Sequence, residues 1–290
     1  MNREKYEPAE FLAELPARMG YVPTDSLVVI PLGGAPEEVV RPRRLNADAD
    51  DFVLALVLGA FGEDDSVILV ASGDDPFSAL EKAEDYLNCR ILCEFAVRAF
   101  TPGEMWIEVT HGGAGLIPDY KSTQFAAELA FDGWPIYSTV EALRAVFEPV
   151  GRPARIAQLN SGADREHAAS GVRRSIYRGL PVKITHLAAL LEDFENVKWM
   201  AQLGEDWWPE PDEAVRKRVF EVFVSCARRL TGEARLRAVF VAGVAAIRLG
   251  RDAFVDAAED ILLRADDDRQ LFLLMDDLRR EGLGVLEELG

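Results

Sequence analysis

The chain has 290 residues, of which 49% are hydrophobic and 28% are charged, and its formal net charge is −18. This composition is typical of a soluble globular protein with about two domains. The longest apolar run, residues 52–61, is too short to span a bilayer, and no signal peptide is expected. The three cysteines form no CxxC pair, so we expect reduced thiols and a cytoplasmic protein without a membrane.

The first predicted elements are a short amphipathic helix at 8–15 and a strand at 27–32. Between them, Pro16, Gly20 and Pro23 are expected to bend the chain, since proline restricts the residue before it and glycine accepts a positive φ. The strand begins with a run of residues that is apolar on both faces, which predicts burial on both sides of a sheet.

Residues 39–45 are a possible second strand. The carboxylates within residues 48–51 then favour the start of a helix, where they complement its dipole. That helix, at 52–58, is apolar nearly all round, so we expect it to be sandwiched, most simply against the sheet.

Strand, helix and strand then alternate as in a β-α-β unit. A buried strand at 66–71, a helix at 77–87 and a strand at 90–98 predict a mixed or mainly parallel sheet. Pro102-Gly103 is typical of a type II turn, so the next strand, at 105–110, should complete a hairpin at one edge, with Gly103 at positive φ. The remaining predicted elements of this half are helices at 122–131 and 139–147 and a short strand at 135–137.

No strand is predicted after residue 160. Apolar residues at helical spacing predict helices at 164–178, 183–203, 212–230, 234–249, 251–264 and 267–281. We therefore predict an α/β domain at 1–150, with a mixed sheet and flanking helices, and an all-α domain at 151–290. The short helices of the second domain suggest a helical-hairpin array of the tetratricopeptide sort, without the full repeat signature.

The negative charge is concentrated in the first domain. Residues 1–150 hold 26 acidic and 11 basic residues, a net charge of −15, whereas residues 151–290 hold 24 and 21, a net charge of −3. Because a strongly acidic body repels nucleic acid, direct binding of DNA or RNA is not expected. The surplus serves either solubility or docking, and the sequence leaves both open.

Three stretches carry a resemblance to a known family. They are Pro16-x-x-x-Gly20-Tyr-x-Pro23-x-Asp25-Ser-Leu-Val-Val, residues 126–133 and residues 258–284. On these residues the sequence resembles an actinobacterial and actinophage family catalogued as domain of unknown function number four-one-nine-two. The resemblance runs through nearly the whole chain. It implies an actinobacterial or phage origin and no particular reaction.

Motifs of catalysis are missing from the sequence. There is no G-x-S-x-G, no G-x-x-x-x-G-K-[ST], no G-x-G-x-x-G after a strand and no H-E-x-x-H. We interpret the glycine-rich segment 111–115 as the exit from an edge strand rather than as an oxyanion loop. The histidines, at 111, 167 and 186, are few and scattered, so neither a metal site nor a cofactor is predicted.

Four residues at strand ends are pocket candidates. Asp25 and Ser26 precede the first strand, and Asp74 and Asp75 follow the strand at 66–71. Strand ends at one edge of an α/β sheet can form an active site. Turn chemistry and helix capping explain the same residues and are the simpler interpretation.

Four residues of the second domain are candidates for partner binding. Trp207 and Trp208 lie in a proline-rich linker, where they would be either interface anchors or an internal latch between the domains. Arg216 and Arg218 belong to a basic cluster, which would be either a solvated helix face or a docking surface.

These features favour a non-catalytic protein-interaction or regulatory module that binds another protein and could form a homo-oligomer. One alternative is an acidic decoy that occupies a nucleic-acid-binding protein. A second alternative is an α/β enzyme, which a pocket holding Asp25 with Asp74 or Asp75 would support.

Overall fold

A computed structural model describes residues 7–32, 42–59, 61–63, 65–159, 161–193, 200, 213–265 and 269–281. The chain divides into two compact units, which we call unit 1 (1–140) and unit 2 (141–290). The division lies at 140 rather than near the predicted 150, so the segment 141–150 belongs with the helices that follow it.

Unit 1 is built on a sheet of six strands with helices around it. The strands are β1 Ser26–Leu32, β2 Arg43–Asn46, β3 Ser66–Ser72, β4 Arg90–Val97, β5 Met105–Glu108 and β6 Ala114–Leu116. The helices are α1 Pro8–Met19, α2 Asp51–Leu58, α3 Pro76–Glu84 and α4 Gln124–Phe131, and α5 Val140–Arg144 begins where unit 1 ends.

The sheet has the order β2-β1-β3-β4-β5-β6. The predicted mixed sheet is confirmed, because β3 and β4 are parallel and connected through α3, whereas every other neighbouring pair is antiparallel. The predicted hairpin of β4 and β5 is present, but β6 was missed and pairs outside β5. The β4–β5 hairpin therefore lies one strand inside the edge at which it was predicted.

Apolar strands and helices form three layers. Alternate residues of β1 and β3, such as Leu27, Val29 and Leu69, share a core with α2 and α3. On the opposite face, the ring of Phe95 lies 6.0 Å from that of Phe11 in α1. The central strands are thus buried on both sides, which is why they consist of β-branched and leucine residues without polar alternation.

The sequence predicted that Pro16 bends the chain before β1, and this prediction is wrong. Pro16 lies inside α1, which continues to Met19 and ends at Gly20 with φ of 70°. A proline in a helix removes one hydrogen bond, but α1 buries Phe11, Leu12, Leu15 and Met19 along one side. Burial of that apolar stripe outweighs the local preference of proline.

Two further predictions for unit 1 are wrong. Helix α2 is not sandwiched, because Leu54 and Leu58 face the core while Phe52 is 75% exposed. Residues 135–137 form no strand, and Tyr137 makes only an isolated parallel bridge to Tyr21. Both errors have the same cause: the apolar composition of a segment does not show how many other elements pack around it.

The turn between β4 and β5 provides a test of backbone strain. Gly103 has φ of 83°, as predicted, and a Cβ atom there would meet no heavy atom within 4 Å. We expect Gly103→Val to lower the free energy of unfolding by more than about 1 kcal/mol, because a β-branched residue disfavours this conformation. Gly103→Asn is the control and should cost less, since asparagine tolerates positive φ. Equal losses for the two variants in urea unfolding would contradict the explanation by strain.

The regular secondary structure of unit 2 is all helical, and no strand occurs among its described residues. Its helices after α5 are α6 Gly162–Arg178, α7 Ile184–Leu191, α8 Glu213–Ala227, α9 Gly232–Arg248, α10 Asp252–Arg264 and α11 Arg269–Glu281. Helix α9 is the most deeply buried of these and packs against α8, α10 and α11. The predicted helix at 183–203 ends at Leu191, and most of its second half lies outside the described residues.

Aromatic rings hold the middle of unit 2. The ring of Phe220 lies 4.8 Å from that of Phe254 and 6.4 Å from that of Phe147, both edge to face. Gly243 of α9 lets α10 and α11 approach closely, because a Cβ there would lie 2.5 Å from the Cε atom of Met275. None of the helices described in either unit is long and apolar enough to cross a membrane.

Candidate functional site

The start of β1 and the end of β3 meet at one edge of the sheet, as the antiparallel pairing of Ser26 with Ser72 requires. Ser26 is buried, and its Oγ atom donates to the Thr24 carbonyl at 2.6 Å and accepts from Arg44 Nε at 2.7 Å. Asp25 has φ of 44°, and its carbonyl accepts from the Ala47 amide. These hydrogen bonds stabilise the turn that precedes β1 and its contact with β2.

The carboxylates that follow β3 lie at the same edge. A Cβ atom on Gly73 would lie 2.7 Å from Asp25 Oδ1, so the loop after β3 runs against Asp25. Asp75 caps α3, since its Oδ1 atom accepts from the Ser78 amide at 3.2 Å. Asp25, Asp74 and Asp75 are all solvent exposed. The two surface depressions that flank α4 are lined by other residues.

Of the four partner-binding candidates of unit 2, the structure describes the two arginines. Trp207 and Trp208 lie outside the described residues. Arg218 donates through Nη1 to the carbonyls of Ile176 and Tyr177, at the C-terminal end of α6. Arg216 likewise donates to the carbonyl of Arg248, the last residue of α9. Both arginines therefore satisfy carbonyl groups at helix ends within unit 2.

Helix α4 presents the most exposed aromatic side chain among the described residues. Thr123 caps the helix by accepting from the Ala126 amide, and Ala126 and Leu129 are buried on the side that faces α1. Because each residue turns a helix by about 100°, Phe131 points away from Leu129. It is 92% exposed.

The outward side of α4 forms a stripe that we call the α4 surface. Its residues recur at helical spacing and line one shallow depression: Gln124, Ala127, Glu128, Phe131 and Asp132. A second depression, of about 220 Å³, lies on the other side of the helix between Tyr120 and Trp134. An exposed ring beside concave surfaces is typical of a protein-binding site rather than of an enclosed ligand pocket.

Acidic groups surround the ring of Phe131. Glu128 and Asp132 belong to the same surface, and Glu128 accepts from Gln124 Nε2 at 2.8 Å. Unit 1 as a whole, residues 1–140, has 24 acidic and 10 basic residues, a net charge of −14. The field around the α4 surface therefore favours positively charged partners.

A cluster that no sequence motif predicted lies on β4, β5 and the turn after β5. Cys93, Glu108 and His111 each offer a metal-ligating atom, and these atoms all lie within 4.8 Å of one another. The Nδ1 atom of His111 is 2.5 Å from Oε1 of Glu108. The sequence spacing of these residues matches no metal motif, because strand pairing rather than local spacing brings them together.

Glu94, next to Cys93 on β4, is buried on the face that packs against α3. Burial, and after it the neighbouring Glu84 carboxylate, raise the pKa of Glu94 to about 7. The Thr110 hydroxyl, which donates to Glu94 Oε2 at 3.3 Å, acts in the opposite direction on the pKa. The fold thus buries a carboxyl group that favours its neutral form.

A family model described as Domain of unknown function (DUF4192) matches residues 8–284. The chain belongs to this family. No curated protein and no solved structure matches the chain. The DUF4192 match includes both the α4 surface and the Cys93 cluster, so each of them lies within the family domain.

Proposed function

We propose that this DUF4192 chain is a non-catalytic protein-interaction module that binds a basic partner protein through the α4 surface. The observation that carries the proposal is the 92% exposure of Phe131 on an ordered helix of unit 1. A solvated phenylalanine ring gains free energy when a partner removes it from water, and buried aromatic anchors dominate many interfaces.

Charge supports the choice of a basic partner. Glu128 and Asp132 flank the anchor, and unit 1 has a net charge of −14 over residues 1–140. A partner with an apolar pocket rimmed by lysine or arginine would be attracted at long range and held by the ring at short range. We place this interaction in the cytoplasm of an actinobacterium, with the chain encoded by the bacterium or by its phage. Unit 2, as a helical-hairpin array of the tetratricopeptide sort, would supply further docking area.

Capture from native cytosol, with the tagged full chain as bait, tests the proposal. We expect Phe131→Asp to reduce recovery of a basic partner by about tenfold or more, as for an interface hot spot. Phe52→Asp is the matched control, because Phe52 is also a largely exposed phenylalanine of unit 1 but lies on α2, across the sheet. Equal recovery with both variants would overturn the proposal, and raised salt should weaken capture by the unaltered chain.

The acidic decoy is a narrower version of the same proposal, and the net charge of unit 1 favours it. In that version the partner is a nucleic-acid-binding protein, and the α4 surface occupies its basic groove. Duplex DNA added to the captured complex should then displace the partner, because both ligands use the same positive surface. If the complex is retained in excess DNA, the decoy role is contradicted and the interaction module stands.

A further inference from the structure

The fold brings three different metal-ligating side chains together from separate positions in the chain. Strand pairing of Phe95 with Glu108 places Cys93 diagonally beside Glu108 on the same face of the sheet. His111 follows in the turn between β5 and β6. Two backbone hydrogen bonds close that turn, from the Glu108 amide to the Gly113 carbonyl and from the Gly112 amide to the Glu108 carbonyl.

The donor atoms are close enough for one ion. The sulfur of Cys93, a carboxylate oxygen of Glu108 and a ring nitrogen of His111 all lie within 4.8 Å of one another. With bonds of about 2.0–2.3 Å, tetrahedral zinc holds its ligand atoms about 3–4 Å apart. A rotation of the half-exposed His111 ring, whose side chain is 37% exposed, can supply the remaining movement of about an ångström.

We propose that Cys93, Glu108 and His111 bind a zinc ion, with water in the fourth position. Thiolate, imidazole and carboxylate are all zinc ligands, and sites with three protein ligands leave one position open. Calcium and magnesium are disfavoured, because both require mainly oxygen ligands. The negative field of unit 1 raises the local concentration of cations at this site.

Cobalt is the most informative probe, because Co²⁺ reports a bound thiolate by a charge-transfer absorption band. The full chain, treated with a chelator and then freed of it, should bind one Co²⁺ with that band, and Zn²⁺ should displace the cobalt. Cys93→Ser should abolish the band. Cys89→Ser is the matched control, since Cys89 is also partly buried but lies outside the cluster, and it should leave the band unchanged.

His111→Ala keeps the test decisive if Cys93→Ser disturbs folding, because His111 lies in an exposed turn. We expect this variant to weaken Zn²⁺ binding by about tenfold or more. His167→Ala, on α6, should not change it. Absence of the cobalt band in the unaltered chain, or its persistence in a folded Cys93→Ser chain, would overturn the proposal. Unchanged partner capture after metal removal would show that metal binding and partner binding are independent.

Discussion

Replacing Arg279 with alanine should lower the free energy of unfolding of unit 2 by about 3 kcal/mol. The guanidinium group of Arg279 extends from α11 to α10, where Nη1 lies 2.7 Å from Asp256 and 2.9 Å from Glu259. Its side chain is only 17% exposed. Burial opposes the charge, but the carboxylates of Asp256, Glu259 and Asp252 raise the pKa of Arg279 above its ordinary value. Replacement by alanine removes the positive charge that Arg279 supplies to these partly buried carboxylates.

Arg264→Ala is the matched control for this prediction. Arg264 also pairs with a carboxylate, Asp260, at 3.1 Å, but its side chain is 67% exposed. Water already screens that pair, so we expect a loss below about 1 kcal/mol. Urea unfolding followed by far-ultraviolet circular dichroism measures both variants. Similar small losses for the two would show that α10 and α11 are held by apolar packing and not by the buried ion pairs.

The second large effect is a dependence of stability on pH through Glu94. Its carboxyl group has a pKa of about 7 in the folded chain and an ordinary value of 4.5 when unfolded. Between these values the folded state holds a proton that the unfolded state has released. The contribution of Glu94 to stability is therefore complete below about pH 4.5 and is lost as the pH rises through 7. The difference corresponds to about 3 kcal/mol, which solvent screening reduces to roughly 2 kcal/mol.

Glu94→Gln should remove this dependence, because an amide stays neutral. We expect the variant to match the unaltered chain at about pH 4 and to be more stable at about pH 8 by roughly 2 kcal/mol. Glu81→Gln, an exposed position on the same helix as Glu84, is the control and should show no such trend. Melting curves at about pH 4, 6.5 and 8 measure the difference. A constant difference across this range would contradict the raised pKa of Glu94.

Local sequence was sufficient to predict the buried centre of the sheet. Strands β1 and β3 lie within one residue of their predicted bounds, because both are uninterrupted apolar runs that only a doubly covered sheet accommodates. Strand β6 was not predicted because Ala114-Gly-Leu116 contains none of the β-branched residues that favour a strand. Its position depends on Trp106, whose ring lies over Gly115, where a Cβ atom would be only 2.8 Å from Cζ2.

The candidate sites depended on tertiary structure that no local pattern contains. Phe131 is exposed because none of the described residues of unit 1 covers the outer side of α4. An amphipathic pattern alone does not show whether a further layer packs on a helix. The Cys93 cluster requires the register that pairs Phe95 with Glu108. A shift by one residue would turn Glu108 to the opposite face. A search for motifs with fixed sequence spacing therefore cannot find a site whose residues are brought together by strand register.

The pairing of β1 with β3 has a consequence for how the chain folds. Residues of β1 pair with residues of β3 that lie roughly 34 to 46 positions later, as with Leu32 and Ser66 or Ser26 and Ser72. In unit 2, by contrast, α9 and α10 follow one another after a short connection. Contacts between distant residues require closure of a long loop and form slowly, whereas contacts between neighbouring helices form early. On the ribosome, β1 is therefore made first but cannot pair with β3 until β3 has emerged.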